Sequence, residues 1–113
     1  MIQNTAKKVE ETILDSSPGG GVIRYNNDNY FLTKRQYLGN PWIVSTLWLS
    51  QYYLAIGNKS KALKLIDWSL QRSESTGVLS EQFDPEDLSP LSVSPLVWSH
   101  AELVNSILDF YAI

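Results

Sequence analysis

The sequence predicts an all-α fold in which outer, amphipathic helices alternate with inner helices that are apolar on most sides. Three observations carry this. Ile2, Ala6, Val9 and Ile13 recur at helical spacing and form one stripe, the pattern of a surface helix. The segments 41–56 and 95–111 carry apolar residues around nearly their whole circumference, the pattern of helices buried on most sides. The connections alternate too. One turn joins the second and third predicted helices, whereas the links before the second and before the fourth each run to roughly 20 residues, beyond the usual ceiling for structureless loops.

The first helix is predicted over 2–14, and Ser16-Ser17-Pro18-Gly19-Gly20-Gly21 ends it, because Pro and consecutive Gly do not continue a helix. The connection 15–39 holds Val22-Ile23-Arg24-Tyr25, a short extended piece, and Asn26-Asn27-Asp28-Asn29, a turn. Asn40 is the expected cap of the second helix, with Pro41 at its first helical position. Gly57 stops that helix and Asn58 starts the third. In the third, Ala62, Leu63, Ile66, Ser69 and Leu70 form the inward face, while Lys59, Lys61, Lys64, Asp67 and Arg72 point outward and Trp68 lies between. Gly77 ends it. After the connection 77–94, Ser94-Pro95 repeats the cap-plus-proline opening of the fourth helix.

Composition narrows the function classes. The 113 residues suffice for one small domain. Apolar residues at 43% and charged residues at 19% are ordinary for a soluble globular protein and argue against disorder. No apolar run approaches the ~20 residues that span a bilayer. The start, Met1 to Lys8, lacks the apolar core of a signal peptide, so the expectation is either a cytoplasmic location or a piece of a protein whose leader lies elsewhere, with no membrane partner. The absence of cysteine excludes disulfides and thiolate chemistry, and one histidine cannot build a His-rich metal site, so no metal or cofactor is expected. The net charge is −3 and the basic residues are scattered, which argues against nucleic acid as a partner.

If the helices run up and down, both long connections emerge at one end, where the inner helices begin. The first offers Arg24, Tyr25, Asp28 and, at its exit, Trp42. The second offers Glu81, Gln82, Asp84 and, at its exit, Trp98. A carboxylate, an arginine and two tryptophans on one rim suit a sugar: indole faces stack on pyranose rings, charged groups bridge hydroxyls, and a carboxylate can take a proton from water. Plainer readings stand beside this one. Glu81 also reads as a solvated loop carboxylate, Trp42 and Trp98 as the closure of the core, and Trp48 and Trp68 as core or interface residues. His100 reads as a hydrogen-bonded packing residue, and Asp84-Pro85-Glu86-Asp87 as a solvated turn rather than a metal site.

Four blocks carry a family resemblance: Arg24-Tyr25; Gly39-Asn40-Pro41-Trp42; Thr76-Gly77-Val78-Leu79-Ser80-Glu81-Gln82; and Pro95-Leu96-Val97-Trp98-Ser99-His100-Ala101-Glu102. In order and spacing they resemble the carboxy-terminal part of the catalytic domain of glycoside hydrolase family 15, which contains glucoamylases, glucodextranases and some trehalases. The resemblance implies that residues 1–113 are about two hairpins of an (α/α)6 barrel. It implies hydrolysis of α-glucosidic bonds with inversion by two carboxylic acids. Glu81 matches the general base, Arg24 an arginine that holds the sugar, Trp42 a tryptophan of the pocket wall, and Trp98 one on the adjoining rim. The family's general acid lies upstream of anything matched here. The implied partners are an α-linked glucose oligo- or disaccharide and the remainder of the barrel, and the isolated chain is expected to self-associate. Two rival readings remain open: a non-catalytic sugar binder, and a helical-hairpin interaction module. Leu54-Ala55-Ile56-Gly57 before Ala62 resembles a tetratricopeptide repeat, although no period near 34 recurs.

Overall fold

A computed structural model describes residues 2–12, 18–73 and 75–112. It has four helices and one small hairpin: α1 (Ile2–Thr12), α2 (Ile43–Ala55), α3 (Lys59–Gln71), β1 (Gln82–Phe83), β2 (Pro90–Leu91) and α4 (Val97–Ala112). The predicted end of the first helix, at Ile13 to Ser17, lies outside the described residues.

Helix α2 is the centre of the fold and packs against both α3 and α4. Ile43, Val44, Leu47, Leu49, Tyr53 and Leu54 are all buried. One side meets α3 through Ala62 and Leu65, with Val9 of α1 packed against the same cluster. The other meets Ile66, Leu79 and Phe83, closed over by Leu103, Ile107 and Phe110 of α4. The buried face of α3 is Ala62, Leu65, Ile66 and Ser69, while the expected face residues Leu63 and Leu70 are exposed. At a helical turn of about 100° per residue, Leu63 and Leu70 sit roughly a quarter-turn off the stripe that Ala62 and Ile66 define. Both ends of the short link behave as expected. Gly57 takes a left-handed φ of 80° after α2, and the Asn58 side chain accepts from the Lys61 N–H at the start of α3.

The starts of the inner helices differ from expectation. Asn40 does not cap α2: Trp42 holds the cap position in extended conformation, and no side chain caps the helix. The Asn40 amide is taken elsewhere, by the Phe31 carbonyl and by Gln82. Trp42 instead bridges Val22 on one side and Gln82 on the other, so the chain stays extended up to the helix. Likewise α4 begins at Val97, after the Leu96 N–H has been used by the Leu79 carbonyl. These bonds fasten both long connections to the same end of α2. Thr46 accepts from the Val22 N–H and Ser45 donates to the Val22 carbonyl. Gly21 crosses so closely that an added Cβ would lie 2.6 Å from Trp68, and its φ is +80°.

Helix α4 is covered on one side only. Its buried residues are Ser99 and Ser106, whereas Val97, Val104, Leu108 and Tyr111 are exposed. Among the described residues no helix is long and apolar enough to cross a membrane.

Candidate active site

Glu81 lies half-buried immediately before β1. Its main chain is fixed at both ends: the N–H donates to Val93, and the carbonyl accepts from the Ile43 N–H at the first residue of α2. Its carboxylate receives two donors, Ser92 Oγ at 2.8 Å and Gln82 Nε2 at 3.2 Å, and both bind Oε1. Ser92 belongs to the short loop after β2 and takes a left-handed φ of 65°. The hairpin register that pairs Gln82 with Leu91 brings that loop back over Glu81. Sequence reading identified Gln82 as a polar neighbour but not Ser92, which sits eleven residues away across a hairpin too short to show any periodicity.

Arg24 is held in the extended entry of the first connection. Its guanidinium carbon lies 4.2 Å from the centroid of the Trp42 ring, with Tyr25 and Tyr30 at 5.2 and 5.3 Å. It donates to Asp28 through two parallel bonds, Nε to Oδ2 at 2.7 Å and a terminal nitrogen to Oδ1 at 2.9 Å. This fork geometry locks the plane of the guanidinium. The pair is supported electrostatically. Burial would raise the Asp28 carboxyl, but the Arg24 bonds and the Tyr30 N–H outweigh it and hold the group below its ordinary range. The Arg24 guanidinium is raised chiefly by its bond to Asp28, against burial, with Tyr25 and Glu81 contributing at longer range. Tyr30 was not foreseen. It edges both Arg24 and Trp42, with a ring separation of 6.3 Å to the latter.

Arg24, Trp42 and Glu81 are thus brought together at the start of α2: Arg24 stacks on Trp42, Trp42 pairs with Gln82, and the Glu81 carbonyl accepts from the N–H of Ile43, the residue after Trp42. Trp98 sits beside this group rather than in it. Its ring meets Trp48 edge-on at 5.6 Å, while the neighbouring Ser99 donates to the Ser80 carbonyl next to Glu81. Trp48 is half-exposed, and Trp68 is half-buried and donates to the Gly19 carbonyl. A cavity of about 480 Å³ opens between α1 and α2, lined by Val9, Ile23, Leu49, Tyr52 and Trp48 and reaching Arg24 at its edge. It is an apolar groove between helices, and Glu81 and Trp42 do not line it.

Two expectations about the second connection resolve differently. His100 is the packing residue foreseen, its Nε2 accepting the Leu79 N–H at 3.1 Å. Asp84 is not a solvated turn residue. It is buried and accepts from Thr33 Oγ1, Lys34 Nζ and the N–H groups of Glu86 and Asp87. Burial alone would raise its carboxyl, but the Thr33 hydroxyl, the Glu86 N–H, the Lys34 ammonium and the Asp87 N–H hold it well below the usual carboxylate range. Asp84 therefore ties the two long connections together beneath the rim.

No protein-family profile matches the chain. The chain is 37% identical to an uncharacterized glycosyl hydrolase of Methanocaldococcus jannaschii, a match over 73% of this chain and 14% of that protein. It is 27% identical to trehalase 2 of Sulfolobus acidocaldarius, over 97% of this chain and 18% of that one. Among solved structures, a bacterial glucoamylase complexed with acarbose superposes with a TM-score of 0.81 at 30% identity, over 97% of this chain and 17% of that one. A glycosidase at 22% identity shares the fold, with a TM-score of 0.81 over 96% of this chain and 30% of that one. The chain spans 14–18% of the length of the curated relatives it matches. Its fold is that of a segment of the glucoamylase (α/α)6 barrel, and its similarity to glucoamylase- and trehalase-type glycosyl hydrolases extends over most of its length.

Proposed function

We propose that this chain, a relative of the glucoamylase and trehalase glycosyl hydrolases, supplies the general base and part of the glucose pocket of an inverting α-glucosidase barrel. The observation that carries this reading is the grouping of Arg24, Trp42 and Glu81 at the start of one inner helix. In this reading Glu81 takes the proton from the attacking water. Arg24, its plane fixed by Asp28, donates its remaining N–H groups to sugar hydroxyls. Trp42 forms a wall of the pocket, and Trp98 stands on the adjoining rim. The general acid comes from another hairpin of the barrel, set about 6.5–9.5 Å from the base so that water fits between base and sugar. The exposed face of α4 is the surface on which further hairpins pack. The substrate is an oligo- or disaccharide of α-linked glucose.

Two measurements on the intact barrel test this. Inversion turns an α-linkage over once, so the fresh product is the β-anomer by proton NMR. An α-anomer contradicts the mechanism. Arg24→Ala and Trp42→Ala each weaken a glucose-like inhibitor by about 1–3 kcal/mol, through unpaired hydroxyls and lost stacking respectively. Unchanged affinity in both variants puts the pocket elsewhere.

A further inference from the structure

The loop 30–37 carries the aromatic edge of the site, and its root and tip are held by different means. At the root the Asp28 carboxylate accepts from the Tyr30 N–H, and the Phe31 carbonyl accepts from the Asn40 amide. Both partners are almost fully buried. Between them Phe31 takes a left-handed φ of 56°, a conformation that a bulky residue seldom adopts and that its surroundings must hold in place. Its ring meets Tyr30 edge-on at 4.9 Å, and Tyr30 lies against Arg24 and Trp42. Both rings are exposed. The tip is held by one turn of the second connection. Asp84 accepts from Thr33 and Lys34. Two residues on, Glu86 Oε1 accepts from Gln36 Nε2 at 2.9 Å and from the Tyr37 hydroxyl at 3.1 Å. Thr33, Lys34, Gln36 and Tyr37 therefore all bond to two carboxylates of a single turn. That turn follows β1 directly and starts three residues after Glu81.

We propose that Asp84 and Glu86 latch this loop, and that the latch fixes Tyr30 against Arg24 and Trp42 and so sets how tightly the pocket holds its sugar. Both are positioning residues, because their bonds go to the loop tip and neither touches Arg24, Trp42 or Glu81. The inference rests on that grouping being the sugar pocket, and the test separates the two ideas. Asp84 is buried, so its loss also disturbs the fold, whereas Glu86 is exposed and can be changed with little effect on stability. In the intact barrel, Glu86→Ala is expected to raise KM for maltose, and the Kd of the glucose-like inhibitor 1-deoxynojirimycin, by about 3- to 10-fold, the scale of one net hydrogen bond. The kcat stays within about twofold, because the bonds that place Glu81, to Val93, Ile43 and Ser92, are untouched. Glu86→Gln restores both constants, since its amide oxygen still accepts from Gln36 and Tyr37.

The decisive arm is the double variant. Once Tyr30→Ala has removed the ring that the latch places, adding Glu86→Ala weakens the inhibitor no further, because a latch with nothing to position has no effect on binding. A merely structural role for Glu86 would weaken it again by the same factor. Urea unfolding of each variant checks the fold separately, and Glu86→Ala should keep the wild-type midpoint. The latch is overturned if Glu86→Ala leaves KM and the inhibitor Kd unchanged, if Glu86→Gln is as impaired as Glu86→Ala, or if the effect of Glu86→Ala adds in full to that of Tyr30→Ala. If Arg24→Ala also leaves the inhibitor bound as tightly as before, the pocket assignment has failed and the latch falls with it.

Discussion

Helices α2 and α4 have the same character in sequence, apolar on most sides and preceded by a polar residue and a proline, yet they end in different environments. On α2 the residues Ile43, Val44, Leu47, Leu49, Tyr53 and Leu54 are buried, Ser45, Gln51 and Tyr52 are half-buried, and Trp48 and Ala55 are exposed. On α4 the residues Val97, Val104, Leu108 and Tyr111 stand exposed, and the fully buried positions are two serines. Periodicity reports the environment for which a helix is written. α2 finds that environment within the chain, between α3, α4 and the two long connections. α4 finds half of it, and its outer face matches the neighbour that an inner helix of a barrel requires.

The largest way to test this contrast is by truncation. Leu47→Ala, at a site with no exposure, should cost about 2–5 kcal/mol in denaturant unfolding. Leu108→Ala, at a residue 62% exposed, should stay within about 0.5 kcal/mol in the isolated chain. If the two cost the same, the helices do not differ as described. Next in size is Gly21→Ala. The new Cβ would meet Trp68 and Pro41 at a positive φ, where the first connection crosses the start of α2, and the expected loss is about 1–3 kcal/mol.

Asp84 sharpens the contrast through pH. Its folded carboxyl is held below its ordinary value, so the stability it contributes is present above about pH 4 and is lost as pH falls through its folded range. Unfolding midpoints followed downward from about pH 6 should drop in the wild type and drop less in Asp84→Asn. That variant starts lower by about 1–2 kcal/mol from the lost charge-assisted bonds. Equal acid sensitivity in both proteins would remove Asp84 from the account. The smallest effect on stability belongs to Leu108→Lys. It should leave the isolated chain's unfolding within about 0.5 kcal/mol while reducing the self-association expected of that chain, as read by light scattering. In the intact barrel the same substitution should be destabilising, because the lysine would then meet a packed neighbour.

The helices were legible because their signals are local. Gly57 and Asn58 mark a boundary that neighbouring residues suffice to define, and both act as expected. The starts of α2 and α4 were misread for the opposite reason. Asn40 satisfies the rule for a cap, but partners 9 and 42 residues away claim its amide and keep the chain extended to Trp42. Asp84 looked like a turn residue because Thr33 and Lys34 lie some 50 positions upstream. The grouping of Arg24, Trp42 and Glu81 could be anticipated from the helix alternation and the family resemblance together. What neither supplied was the detail that fixes it: Asp28 behind Arg24, Tyr30 at the edge of Trp42, and Ser92 on Glu81.

The central claim is that Glu81 is the general base, and the most direct test is turnover by Glu81→Gln in the intact barrel. The amide keeps the shape and most of the hydrogen bonding of the carboxylate but cannot accept a proton from water. The account predicts that kcat falls about 10²–10⁴-fold while inhibitor affinity is retained, because water attack belongs to the transition state. Hydrolysis of α-glucosyl fluoride, whose leaving group needs little acid assistance, should fall nearly as far as that of maltose. Near-normal turnover by Glu81→Gln on either substrate would contradict it.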